Sequence, residues 1–189
     1  MNTLDLSMAT DQLLAQRARE DPVAFARLYD RYLRRVYNYM RYRLSDAQTA
    51  DDLTAQVFHR ALESINSYDA DRAPFGAWLF GIAHHVVTSH YRRQKRVSWL
   101  SLDSIRQRFS LHPQPEDAFI QSERQQSVLK AVARLNERER DIVALKFGGG
   151  LNNRQIAELT GLSPSNVGVI LYRSMKQLKV MLDTQGASE

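Results

Sequence analysis

Asn153 to Ile170 reads NRQIAELTGLSPSNVGVI, and the placing of its apolar and small residues decides how the C-terminal half folds. Counting Asn153 as the first position, Ile156 and Ala157 stand fourth and fifth, Gly161 and Leu162 ninth and tenth, Val167 fifteenth and Ile170 eighteenth. This is helix-turn-helix spacing. Ala157 is small enough for two helices to cross closely, Gly161 supplies the positive φ of a tight turn, and the apolar set locks the second helix on the first. Ser163 followed by Pro164 is a cap and first-turn pair that starts that second helix. An ordinary helical hairpin would share the apolar stripe without needing a small residue and a glycine at these places. Ser165, Asn166, Tyr172, Arg173 and Lys176 leave the outer face polar and positive, which suits entry into a DNA major groove. Arg173 and Lys176, taken singly, are also what a solvated face carries.

Working outward, Val128, Ala131, Val132 and Leu135 mark one further helix, and Ile142, Val143 and Leu145 another that stops at Gly148, Gly149 and Gly150. Upstream, Val97 to Ser122 loses helical periodicity and holds Pro113 and Pro115, which reads as a linker. Its Trp99, Leu100, Leu102, Ile105 and Phe109 are too apolar for a solvated tether, so it is expected to lie against another surface.

The first half is helical throughout. Asp21 with Pro22 starts a long amphipathic helix with Phe25, Leu28, Tyr29, Tyr32, Val36, Met40 and Leu44 on one face. Ser45 and Asp46 restart the chain, and Ala50, Leu53, Val57, Ala61 and Ile65 form a second stripe. Phe75, Trp78, Leu79, Ile82 and Val86 form a third. Three such stripes close on one another as a bundle. The fold class is therefore all-α, with two small helical domains joined by a linker.

Composition agrees and narrows the chemistry. Among 189 residues 43% are hydrophobic, enough for one core or two small ones. With no cysteine, disulfides, Cys-ligated zinc and thiol catalysis are excluded, and a reducing cytoplasm fits. The start, MNTLDLSMATDQLLAQ, has neither a basic n-region nor an apolar core, and no stretch is apolar enough for a membrane span, so a soluble chain without membrane insertion is expected. The net charge is +5. Residues 1–96 carry 14 basic and 11 acidic side chains, 97–122 carry 2 and 3, and 123–189 carry 10 and 7, so two basic bodies flank a slightly acidic connector. That distribution suits a polyanionic partner.

Tyr91, Arg92, Arg93, Gln94, Lys95 and Arg96 end the third helix of the first half, with His84, His85 and His90 before them and no acidic residue from 84 to 96. Four fixed charges within five residues favour phosphates, although a helix C-terminus also prefers cations.

Here the chain resembles a known family. DPVAFARLYDRYLRRVYNY, ADDLTAQVFHRAL and FGAWLFGIA with the later YRRQKR are similar to the second conserved region of extracytoplasmic-function (ECF) sigma factors of the sigma-70 family. LNERERDIVALKFGGGLNNRQIAELTGLSPSNVGVILYRSMKQL is similar to their fourth region. The resemblance implies a region 2-like unit at 1–96 that binds core polymerase and the −10 element, a linker at 97–122, and a region 4-like helix-turn-helix unit at 123–189 that binds the −35 element. It implies core-polymerase contacts at Asp51, Asp52, Leu53, Gln56, Val57 and Arg60, although Asp51 and Asp52 also read as first-turn acids that complement a helix dipole. It implies −10 contacts at Asn66, Tyr68, Asp69, His84, His85, Ser89, Arg92, Arg93, Lys95 and Arg96, where Tyr68, Asn66 and Asp69 are suited to hold an extruded base. It implies −35 contacts at Arg154, Ser163, Ser165, Asn166, Val169, Tyr172, Arg173 and Lys176. Phe75 and Trp78 are assigned to the core.

The chain departs from the family where His84, His85 and Ser89 replace the usual Arg-Asn and Asp, and where Gly168, Val169 and Ile170 stand in the recognition helix. A changed base preference is expected there.

The function implied is a sigma factor, not an enzyme, without cofactor, with core RNA polymerase and promoter DNA as partners. With no evident sensory extension beyond Leu182, an anti-sigma factor is a further candidate partner. The alternative is a helix-turn-helix regulator that is not a polymerase subunit, against which the tandem arginines and ADDLTAQVF argue. The triplet at 148–150 lacks the Lys-Ser/Thr of a phosphate loop, and the spacing of His84, His85 and His90 does not share one helix face as a metal site requires.

Overall fold

The computed structural model describes residues 9–100 and 123–186, with side chains at 9–96 and 126–184. Every regular element among them is helical. The apolar linker residues Leu102, Ile105 and Phe109, and the side chains of Trp99 and Leu100, lie outside the described part.

The first three helices each start where a capping side chain meets them. Helix α1 (Asp11–Arg17) begins with Thr10 Oγ1 accepting from the Leu13 N–H at 3.3 Å. Helix α2 (Pro22–Arg43) begins with the Asp21 carboxylate accepting from the Val23 N–H at 2.8 Å and with Pro22 in its first turn. Asp46 caps α3 (Ala47–Ser64), accepting from the Thr49 N–H at 2.7 Å and the Thr49 hydroxyl at 2.5 Å. Those two bonds hold the Asp46 carboxyl below the ordinary carboxylate value. A cap of this kind stabilises by about 1 kcal/mol. A 3-10 turn at Ile65–Ser67 closes α3, and α4 (Phe75–Leu100) follows. Helix α4 runs on through Leu100, past Val97 where the linker is expected to begin, and no proline or glycine stands between Ile82 and Leu100 to end it earlier.

The C-terminal half holds α5 (Glu123–Ala133), α6 (Glu137–Val143), a π-turn at Ala144–Gly148, α7 (Asn153–Thr160) and α8 (Pro164–Gly186). Capping boxes, Asn136 with Glu139 and Asn152 with Gln155, start α6 and α7. Gly161 stands at φ 70°, and a Cβ there would meet nothing within 4 Å, so the dihedral alone demands glycine. Ser163 Oγ accepts from the Asn166 N–H at 3.2 Å, and Ile156, Ala157 and Val167 are buried between α7 and α8.

Helix α2 is the hub. It packs against α1, α3 and α4 on one side, and against α5, α6 and the π-turn on the other. Its buried residues therefore exceed one stripe: Leu28, Tyr32, Val36 and Met40 are joined by Tyr39 and Arg43, whereas Tyr29, expected inside, is 38% exposed. One apolar cluster runs through both halves, with Val36, Tyr39 and Phe80 from the first and Ile142, Leu145 and Ile156 from the second.

Candidate nucleic-acid interface

The expected partner-binding residues fall on three separate surfaces. On α3, Asp51 and Asp52 are exposed and Gln56 and Arg60 are half-exposed. Burial raises the Tyr37 phenol, and the nearby Asp51 carboxylate adds to the effect. Leu53 and Val57 differ from these: they are 9% and 0% exposed and face the core with Ala50, Phe58 and Ala61. The step of four between Leu53 and Val57 places them on one helix face, and that face is the one the bundle covers. Leu62, which the sequence reading missed, is 48% exposed on the same side as Asp52 and His59. Its signal was a large aliphatic residue set off the buried stripe, between Ala61 and Glu63.

The second surface is a cleft lined by Asp69 and Arg72 from the turn before α4, Trp78, Ile82 and His85 from α4, and Glu158 from α7. It brings Asp69 and His85 together, with Asn66 exposed in the 3-10 turn beside it. Ser89 is half-buried, its hydroxyl 3.4 Å from His85 Nε2. Arg92, Arg93, Lys95 and Arg96 are exposed on the following turns, about 10 to 16 Å along the helix axis from His85. Lys95 pairs at 3.6 Å with Glu137 at the start of α6. Burial, and then the Arg93 charge, lower the pKa of His90 beside them.

Tyr68 lies inside the bundle. It is 2% exposed, its ring meets Phe75 and Trp78 edge-on or tilted at 5.5 and 5.4 Å, and its hydroxyl donates to the Ala73 carbonyl at 3.1 Å. Arg19 donates to the Tyr68 backbone carbonyl at 2.8 Å. The ring has no open face on which a base can stack. Phe75 is in the core as expected, and Trp78 is half-buried between core and cleft.

His84 is held by the C-terminal half. Its Nε2 lies 2.9 Å from Asp141 Oδ2 on α6. Asp141 also accepts from the Tyr39 hydroxyl at 3.2 Å and pairs with Arg43 at 3.2 Å. Burial alone would raise the Asp141 carboxyl, but the His84 bond, the Arg43 and His84 charges and the Tyr39 hydroxyl together hold it below the ordinary value.

The third surface is the outer face of α8. Ser163, Ser165, Asn166, Val169, Tyr172, Arg173 and Lys176 are all exposed, Tyr172 to 73%, and Arg154 is exposed on α7. Gly168 is only half-exposed, and a Cβ there would approach the Asn153 side chain at 3.7 Å. Tyr172 and Lys176 also border an apolar groove with Tyr42, Phe147, Met175 and Val180. No helix among the described residues is long and apolar enough to cross a membrane.

Residues 28–97 match the family model for Sigma-70 region 2, and residues 125–178 that for Sigma-70 region 4. The chain is 33% identical over 159 residues to the ECF RNA polymerase sigma factor BldN of Streptomyces coelicolor, covering 84% of this chain and 60% of that one. It is 24% identical over 185 residues to the ECF RNA polymerase sigma factor SigW of Bacillus subtilis, covering 94% and 98%. Among solved structures, the fold is similar to the sigma factor RpoE in its complex with the anti-sigma factor NepR from Bartonella quintana, with a TM-score of 0.69, 19% identity, and coverage of 84% and 96%. It is also similar to the structure of CnrH in complex with the cytosolic domain of CnrY, with a TM-score of 0.63, 21% identity, and coverage of 92% and 97%. The order of the two regions, the helix-turn-helix that ends the second and the relatives matched across both make this chain a member of the ECF sigma factors of the sigma-70 family, the non-enzymatic subunits that direct RNA polymerase to promoters.

Proposed function

We propose that the three surfaces divide the work of promoter recognition. Region 2, taken to run through Leu100, docks core polymerase by the exposed side of α3 at Asp51, Asp52, Gln56 and Arg60, with Leu62 adding an apolar contact. The cleft at Asp69 and His85 takes an unpaired −10 strand, and Arg92, Arg93 and Arg96 neutralise its phosphates. Region 4, from Glu123 onward, reads the −35 element in the major groove by the outer face of α8. The work takes place in the cytoplasm, where polymerase and promoter DNA are.

The observation that carries this reading is the gathering of Asp69 and His85 in one cleft, with exposed arginines two to three turns further along the same helix. Base-edge groups and phosphate-binding charges then lie in line along a single strand path. Imidazole can donate, accept or stack, so His85 selects a base by other contacts than an amide would make. The test is transcription from a randomised −10 library by core polymerase loaded with the protein or with its His85→Asn variant. The selected bases should shift at one or two positions. An unchanged selection would overturn the cleft assignment, and failure to program core polymerase on any genomic template would overturn the promoter-reading role as a whole.

A further inference from the structure

Gly168 is the fifth residue of α8, inside a helix that alanine would stabilise better than glycine. Nothing within the protein asks for a glycine there. Among the described residues only Gly150 and Gly161 have a positive φ, and a Cβ on Gly168 would meet its nearest neighbour, the Asn153 side-chain nitrogen, at 3.7 Å, an ordinary van der Waals contact. Its neighbour Val169 is 47% exposed. The residues three and four positions from Val169 on the same helix face are Ser165, Asn166, Tyr172 and Arg173, and all four are exposed. An apolar side chain is thus ringed by hydrogen-bonding ones, beside a stretch of backbone that carries no side chain. No acidic residue stands between Ser163 and Leu182, whereas Arg173, Lys176 and Lys179 do.

With no use for Gly168 inside the fold, its use lies outside, where the lack of a side chain lets a ligand approach the helix closely. A basic face without carboxylates selects a polyanion. On the major-groove edge of DNA the bases offer hydrogen-bond donors and acceptors, and one apolar group, the C5 methyl of thymine. Valine forms no side-chain hydrogen bond, and its stiff χ1 holds its two methyl groups in place at little further cost in entropy. We propose that Gly168 lets α8 settle deep in the major groove and that Val169 then reads a thymine of the −35 element through its methyl group. The proposal rests on region 4 reading the −35 element by the outer face of α8. Ser165, Asn166 and Arg173 then bond to the base edges and phosphates around that thymine.

The test uses core polymerase loaded with the full chain and a promoter library randomised across the −35 segment. The selected duplex is then made again with uracil in place of each thymine in turn, on either strand, which removes only the methyl group. At one position the replacement should weaken binding by about fourfold. With Val169→Ala the same replacement should make no difference. Gly168→Ala should raise the melting temperature of the free protein by about 2 °C, because its Cβ fits the fold and favours the helix, yet weaken binding of the selected duplex by about tenfold. Indifference of the wild type to uracil at every position, or a loss on uracil that persists in Val169→Ala, would overturn the thymine contact. Wild-type DNA affinity in Gly168→Ala would overturn the close approach. Arg173→Ala separates this from the reading beneath it. If that variant binds the selected duplex less well while uracil has no effect, the proposal alone falls. If that variant too binds as the wild type does, α8 does not read the element and both fall together.

Discussion

His84 Nε2 and Asp141 Oδ2 lie 2.9 Å apart although 57 residues separate them, and the contact joins the helix expected to read the −10 element to α6 of the helix-turn-helix domain. Arg43 and Tyr39 complete the surroundings of the same carboxylate, which is 14% exposed. Truncating a partly buried carboxylate with three partners leaves Arg43, itself 2% exposed, without its counter-charge. Asp141→Ala is therefore expected to cost about 3 kcal/mol, read as a lower urea midpoint of the whole chain.

The pH dependence has a definite sign. The Asp141 carboxyl is held below its ordinary value in the folded chain, so its contribution is complete above the ordinary carboxylate range and is lost as pH falls through the lowered folded value. The wild type should lose stability on acidification more steeply than Asp141→Asn, which has no carboxyl to protonate. Urea titrations of both proteins from neutral pH downward check this, and parallel curves would contradict it.

Leu53 and Asp52 should separate fold from docking. Leu53→Ala removes a side chain packed in the bundle and should destabilise by about 2 to 4 kcal/mol. Asp52→Ala touches an exposed position and should change stability by less than about 0.5 kcal/mol while weakening core-polymerase binding. Thermal melts set beside competition for core polymerase distinguish the two. If Asp52→Ala competed as well as wild type, α3 would not dock through this face.

Tyr68→Phe removes only the hydroxyl that donates to Ala73, and should cost about 1 kcal/mol with little effect on the selected −10 bases. Tyr68→Ala empties an aromatic cluster with Phe75 and Trp78 and should cost about 3 to 5 kcal/mol. A change in base selection with unchanged stability would return Tyr68 to the DNA surface.

Arg173→Ala should leave polymerase binding intact and weaken promoters that depend on the upstream element, because the residue is exposed on α8, apart from α3. Arg93→Ala should weaken all promoters alike and reduce the slope of log affinity against log salt by about one. Binding isotherms of the holoenzyme at several salt concentrations measure both.

Much of this was written locally. The Asp21-Pro22 start of α2, the Asp46 cap of α3, Gly161 and the Ser163 cap of α8 each depend on residues within four positions, so the sequence by itself determined an all-helical chain with a helix-turn-helix near its end. It also determined that the end of α4 is basic and the outer face of α8 polar. A helical period shows which residues share a face, but not how many faces are covered. Only the tertiary structure decided that Leu53, Val57 and Tyr68 point inward, that Tyr29 and Leu62 point out, and that His84 meets Asp141. It alone set Gly148 against the α2 backbone at Tyr39, because how closely two backbones approach depends on elements more than a hundred residues apart in the chain. Short-range torsion and capping preferences carry no information about such a contact, whereas close packing of the folded chain specifies it.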